Sequence, residues 1–211
     1  MANYLKIVFV IDESGSMSGS DEDVIGGFNS YIDTQRKENK GKVTVSLYKF
    51  NHEVTRIIHD KPIKDIIPLT KEDYIPGGFT ALFDAIGKSI HDTDKQIAKL
   101  NNKKKPDSVM FVIITDGQEN SSREFSSQAL KTLIATHEDL LKWYFIYLGS
   151  GLTDFADADR LGLKFRASSQ KANLRSNFDS VAESTVMYCK NKDSSMDNTV
   201  SFLLRDLDDQ K

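Results

Sequence analysis

The sequence predicts a doubly wound α/β fold, and three of its features do so. Strand-length apolar segments alternate along the chain with segments whose apolar residues recur about every 3.6 positions. Tyr4–Ile11, Asp107–Thr115 and Trp143–Leu148 are apolar almost throughout, which strands covered on both faces of a parallel sheet must be. Lys42–Phe50 and Glu53–Asp60 are joined by the short Asn51-His52 turn, the signature of an antiparallel hairpin, placed here at the sheet edge.

The elements follow in order. After the first strand, Val24 to about Lys37 carries Val24, Ile25, Phe28, Tyr31 and Ile32 on one helical face. The hairpin comes next. Beyond Pro76-Gly77-Gly78, the segment Thr80–Leu100 puts Leu82, Ala85, Ile86, Ile90, Ile97 and Leu100 on one face of a long helix. Asp107–Thr115 returns to the sheet, Ser126–Lys142 is helical, and Trp143–Leu148 is the third apolar strand. Leu152–Leu161 reads as a short helix, Lys164–Ala167 as a short strand and Ala172–Lys190 as a final helix. Residues 1–190 form one domain without linker or repeat. Residues 191–211 are a polar tail with an apolar knot at Val200–Leu204, which either packs back on the domain or docks a partner.

Composition narrows the class. The chain has 211 residues, about one domain's worth at roughly 100–200 residues per domain. With 39% hydrophobic and 28% charged residues, it can bury a core and is not a disordered chain. A net charge of −3 and a pI near 5.8 argue against a nucleic-acid binder, which would present a basic face. Lys103–Lys105, ahead of Pro106, reads as a solvated loop. No apolar run approaches the roughly 18 residues of a membrane span, and neither a secretory signal nor a lipid anchor is expected. Cys189 is the only cysteine, so no intrachain disulfide and no Cys-rich zinc site can form. It is expected to be buried on a helix, in a reducing, cytoplasmic setting.

Function is sought beyond the carboxyl ends of the strands, where loops converge in open α/β sheets. Three loops there carry oxygen-bearing side chains: Asp12-Glu13-Ser14-Gly15-Ser16, Gly77-Gly78-Phe79-Thr80 and Thr115-Asp116-Gly117. Carboxylates on Asp12 and Asp116 with hydroxyls on Ser14, Ser16 and Thr80 are the donors a hard dication takes, directly or through water. Alternate residues of Asp-x-Ser-x-Ser can point the same way, and Gly15 is expected to provide the tight turn between the serines. Two carboxylates facing a dication leave it an open position that an outside carboxylate completes.

These residues, in these topological slots, resemble the von Willebrand factor A-type domain and its metal-ion-dependent adhesion site, over roughly residues 4–190. The resemblance implies a Rossmann-like sheet with one antiparallel edge strand. It also implies metal contact through Ser14, Ser16 and Thr80, with Asp12 and Asp116 acting directly or through water. Such domains bind proteins through a partner's Asp or Glu. The short intracellular and phage-encoded members are the most similar, on Asp116-Gly117-Gln118-Glu119-Asn120 and the lack of a signal, so a stand-alone bacterial or phage protein is expected. Mg²⁺ is the expected ion, with Mn²⁺ and Ca²⁺ as alternatives.

Plainer readings stand beside these. Ser14, Ser16 and Thr80 would also serve as helix caps. Glu13 reads as a surface acid, Glu119 as a surface or supporting acid, and Asp84 as a solvated helix acid one turn after Thr80. Phe79 is either a partner-contacting aromatic or a half-buried loop residue. Gly87-Lys88-Ser89 ends like a phosphate loop but has Leu82 where the earlier glycine belongs. Gly149-Ser150-Gly151 lacks the third glycine of a dinucleotide fingerprint, which would fall at Asp154. His52, His59, His91 and His137 are scattered without zinc spacing and are expected at the surface.

The expected function is a metal-dependent protein-binding module with no nucleic-acid or membrane partner. Its specificity is expected from the loops at Met17–Asp23, Pro76–Phe79, Gln118–Glu124 and Ser150–Asp154. A metal-dependent hydrolase or phosphoryl-transfer enzyme is the alternative, with only Glu13 or Glu119 available as base. A structural subunit docking through Val200–Leu207 is a third reading.

Overall fold

A computed structural model describes residues 4–39, 41–150, 155–169 and 174–190. Six strands form one sheet: β1 (Tyr4–Asp12), β2 (Lys42–Phe50), β3 (Val54–Pro62), β4 (Ser108–Thr115), β5 (Trp143–Ser150) and β6 (Phe165–Ser169). Their spatial order is β3-β2-β1-β4-β5-β6. Every pairing is parallel except β2–β3, the hairpin, so the antiparallel strand lies at the edge as the short turn required.

Among the described residues five α-helices cover the sheet: α1 (Asp21–Glu38), α2 (Leu82–Ala98), α3 (Ser127–Leu141), α4 (Phe155–Leu161) and α5 (Leu174–Lys190). Alternation along β1 sorts them. Leu5, Ile7, Phe9 and Ile11 point to one face and pack with Phe28 and Tyr31 of α1 and Phe178 and Val181 of α5. Val8 and Val10 point to the other, against Leu82, Ile86 and Ile90 of α2, Leu130 and Ile134 of α3, and Leu161 of α4. Gly27 of α1 lets α5 approach: a Cβ there would lie 2.3 Å from the Phe178 ring. Lys6 interrupts the apolar run of β1. It is buried and ion-paired with Asp60, whose charge offsets part of the desolvation that lowers the lysine pKa.

Strand order reverses at β1. Its neighbours are β2 on one side and β4 on the other, so the crevice at their carboxyl ends is the switch point where ligands sit in such sheets. The elements derived from sequence are all present, with ends shifted by a few residues. The expected helix starts at Leu152 and Ala172, and the tail at 191–211, lie outside the described residues.

Candidate metal centre

β1 and β4 place the first two side chains. Their last register pair is Ile11 with Ile114, so Asp12 and Thr115 emerge side by side at the carboxyl end of the sheet. The Thr115 hydroxyl donates to Asp12 Oδ2 at 2.5 Å. Asp12 Oδ1 accepts the Ser14 N–H at 2.7 Å, which starts a turn that continues as a single 3₁₀ turn over Gly15–Met17. That turn brings Ser14 Oγ and Ser16 Oγ to 3.0 Å from each other. Gly15 opens this turn without a left-handed φ. The left-handed position is Gly78 (φ +82°) across from it, whose carbonyl accepts the Gly15 N–H at 3.0 Å.

Thr80 comes from the entry to α2, which begins after Ala81, a residue with no side-chain acceptor of its own. The first N–H groups of any helix need outside acceptors. Here the β4–α3 loop supplies them: Glu119 Oε2 accepts from Phe83 N–H at 2.9 Å and Ser122 Oγ from Asp84 N–H at 3.0 Å. Asn120 Oδ1 accepts the Thr80 N–H at 2.9 Å, while the Thr80 carbonyl accepts the Asn120 and Ser121 N–H groups. In return, the Asp84 carboxylate accepts the N–H groups of Arg123, Glu124 and Phe125 at 2.8–2.9 Å. The loops carrying Thr80 and Asp116 are knitted together.

Gly117 measures how closely the predicted donors converge. A Cβ on this residue would sit 2.9 Å from Ser16 Oγ, 3.0 Å from Thr80 Oγ1 and 3.4 Å from Asp12 Oδ2. Those oxygens come from two loops, the one after β1 and the one before α2, and together with Gly117 of the loop after β4 they ring one small space that only a glycine leaves open. Asp116 adjoins it, with both carboxylate oxygens buried. Burial pushes the Asp12 carboxyl up to about 6, and the Asp116 charge adds to the rise, against the bonds from Thr115 and Ser14. Two acids with buried carboxylate oxygens beside three hydroxyls fit a hard cation. Among the described residues no three His, Cys, Asp or Glu side chains cluster as a metal site.

The capping alternative does not account for these hydroxyls. Ser14 precedes the 3₁₀ turn but makes no side-chain cap bond, and the α2 cap position is Ala81 rather than Thr80. Three readings of neighbouring acids and histidines need correction. Glu13 is buried, not at the surface: it pairs with Lys49 at 2.9 Å and accepts the Ile75 N–H at 2.6 Å. Asp84 is buried too, as the acceptor of three backbone N–H groups. His137 is buried against Trp143, with Nε2 3.0 Å from Asp94 Oδ2. Phe79 is exposed, Lys103 and Lys104 are exposed on a short 3₁₀ turn, and Cys189 is half-buried on α5. Gly87 owes its place to packing: a Cβ there would meet the Phe125 ring at 2.5 Å. Sequence reasoning missed Tyr74, whose hydroxyl donates to the Asp12 carbonyl, and Asn29, whose amide clamps the backbone of Leu69 through two bonds.

The comparisons with known proteins bear on the same segment. The family model for the von Willebrand factor type A domain matches residues 6–139. No curated protein matches the sequence. Among solved structures, the PilB minor pilin from Streptococcus sanguinis is similar with a TM-score of 0.65 and 12% identity, over 88% of this chain and 62% of that one. The vWF domain of the type V pili tip protein Mfa5 from Porphyromonas gingivalis gives 0.61 and 12%, over 89% and 96%. Proximal thread matrix protein 1 from the mussel byssus, with a zinc-occupied MIDAS motif, gives 0.57 and 14%, over 88% and 46%. The chain spans less than two thirds of the length of the pilin and the mussel protein. At such identities the likeness shows the fold.

Proposed function

The chain belongs to the von Willebrand factor type A domain family, and from that premise we propose that it is a metal-dependent protein-binding module. Asp12, Ser14, Ser16, Thr80 and Asp116 would hold one divalent cation, with Mg²⁺ the ion best suited to few carboxylates and several hydroxyls. The observation that carries the reading is the convergence of Ser16 Oγ, Thr80 Oγ1 and Asp12 Oδ2 within 3.4 Å of the Gly117 Cβ position. A bound dication would keep an open coordination position for a carboxylate of the partner. The protein's part is to hold the donors in place: Asn120 fixes the Thr80 backbone, Thr115 orients Asp12, and Tyr74 bonds the Asp12 carbonyl from below. The zinc-occupied MIDAS motif of the mussel protein supports a metal at the corresponding place here.

Binding is favoured over hydrolysis by the state of the two acids that would have to act as base. Glu13 is committed to Lys49 and the Ile75 N–H. Glu119 accepts from Phe83, Ser121 and Ser122 N–H and from the Ser122 hydroxyl. Both carboxylates are engaged in holding the loops and the entry to α2.

The test is capture from cognate lysate in Mg²⁺, in EDTA, and with Thr80→Ala in Mg²⁺, beside a direct Mn²⁺ titration of both proteins. A partner held only by the wild type in Mg²⁺ is the expected result. Equal retention in all three arms, or unchanged Mn²⁺ affinity in Thr80→Ala, would refute the reading.

A further inference from the structure

Two large apolar side chains stand in water beside the candidate metal centre: Ile75 is 65% exposed and Phe79 is 69% exposed. Their segment is held in place. The Ile75 N–H donates to Glu13 Oε1 at 2.6 Å, the Gly77 N–H to the Glu13 carbonyl at 2.8 Å, and the Gly15 N–H to the Gly78 carbonyl at 3.0 Å. Residues 75–78 therefore run against residues 13–15, the stretch that carries Ser14 and leads to Ser16. Phe79 is followed directly by Thr80, whose N–H is fixed by Asn120. Two exposed apolar side chains thus sit on backbone tied to residues 13–15 and to Thr80, the segments that carry or adjoin the candidate donors Ser14, Ser16 and Thr80.

Holding such side chains in water is unfavourable, and their fixed backbone means little further ordering is needed when something covers them. What covers them must also reach the metal. A carboxylate completing the cation's shell brings its own chain neighbours, spaced about 3.8 Å apart, over this rim. We propose that Ile75 and Phe79 form a hydrophobic rim that selects partner segments in which the metal-binding acid is flanked by large apolar side chains. This rests on the metal-dependent reading above. The cation and the rim are complementary to opposite parts of one short segment: charge at its acid, apolar surface beside it. An acid set among glycines or polar residues would satisfy the metal and leave the rim wet.

The probes are two synthetic capped peptides, each with one central glutamate, flanked in one by leucines and in the other by glycines. Each is titrated into the Mn²⁺-loaded full chain, as wild type and as the Ile75→Ser/Phe79→Ser double variant. Both variant positions are exposed, and an unchanged Mn²⁺ affinity verifies that the site is intact. The wild type should prefer the leucine-flanked peptide by about tenfold, and the double variant should bind both peptides as weakly as the wild type binds the glycine-flanked one. Equal affinities in the wild type, binding of neither peptide, or a preference that survives the double substitution overturns the rim. Mn²⁺-dependent self-association in sedimentation that the double variant abolishes assigns the rim to a second copy, and overturns the partner proposed here. Absence of Mn²⁺ binding, or peptide binding that persists in EDTA, overturns the metal-dependent function itself.

Discussion

Asp12→Asn should stabilise the metal-free protein and abolish its response to metal. The Asp12 side chain is buried, and burial with the neighbouring Asp116 charge raises its carboxyl to about 6 from 3.8. A carboxyl whose folded value is raised contributes stability at low pH, and that contribution is lost as pH rises through about 6. At pH 7 the ionised group therefore costs the fold about 3 kcal/mol relative to a neutral one. Asparagine keeps the shape and keeps Oδ1 for the Ser14 N–H. The Thr115 hydroxyl, which donates to Asp12 Oδ2 and lies 3.1 Å from the Gly117 carbonyl, can turn to that carbonyl and accept from the new amide.

The assay is urea unfolding at pH 7 in EDTA, where Asp12→Asn should exceed the wild type by up to about 3 kcal/mol, or roughly 6–12 °C in melting temperature. At pH 5 the advantage should shrink to roughly half, since the wild-type carboxyl is then mostly protonated in the fold. Adding Mg²⁺ at about a hundredfold over its Kd should return about 2.7 kcal/mol to the wild type and nothing to the variant. The two proteins then converge. A variant no more stable than wild type in EDTA at pH 7 would refute the burial argument, and equal stabilisation of both by Mg²⁺ would remove Asp12 from the metal site.

Two other substitutions separate the site from its supports. Gly117→Ala puts a methyl group into the ring of donors at 2.9–3.4 Å, and should lose at least about tenfold in Mn²⁺ affinity while costing about 1–3 kcal/mol of stability. Metal titration against urea midpoint checks both, and retained affinity would mean the donors converge elsewhere. Asp84→Ala strips the acceptor from three backbone N–H groups and should cost about 2–4 kcal/mol. Hydrogen exchange should show residues 123–125 losing protection while the sheet keeps its own.

Much of this was legible from pattern, and the failures share a cause. Strand positions followed from continuous apolar runs, because a strand covered on both faces has no polar side to confuse the reading. The edge hairpin followed from the shortness of Asn51-His52. The candidate donors stood out because acids and hydroxyls after buried strands need a reason to be there, and the structure brings Asp12, Ser16 and Thr80 together around Gly117. Glu13, Asp84 and His137 were misread because an ionisable residue on a helix or loop looks solvated until its acceptor or donor is located in three dimensions. The Glu13 contacts lie 36 and 62 residues away along the chain, and those of Asp84 lie 39–41 away. No local periodicity encodes such pairings. Tyr74 and Asn29 were missed for the same reason, since their partners are distant backbone carbonyls and amides.

Those long-range contacts bear on the charge of the proposed centre. Asp12, Glu13, Asp84, Asp116 and Glu119 all belong to the loops and helix entry at one end of the sheet, and a dication facing all five carboxylates would be net negative and closed to an acidic partner. Three of them are diverted. Glu13 is matched by Lys49, Asp84 by the N–H groups of residues 123–125, and Glu119 by those of residues 83, 121 and 122. The diverted acids also tie the three loops together, so the same groups that would over-neutralise a cation brace the loops that carry the proposed donors. Asp12 and Asp116 remain as the carboxylates of the proposed centre, whose charge matches a dication and leaves a coordination position for a third, brought by the partner.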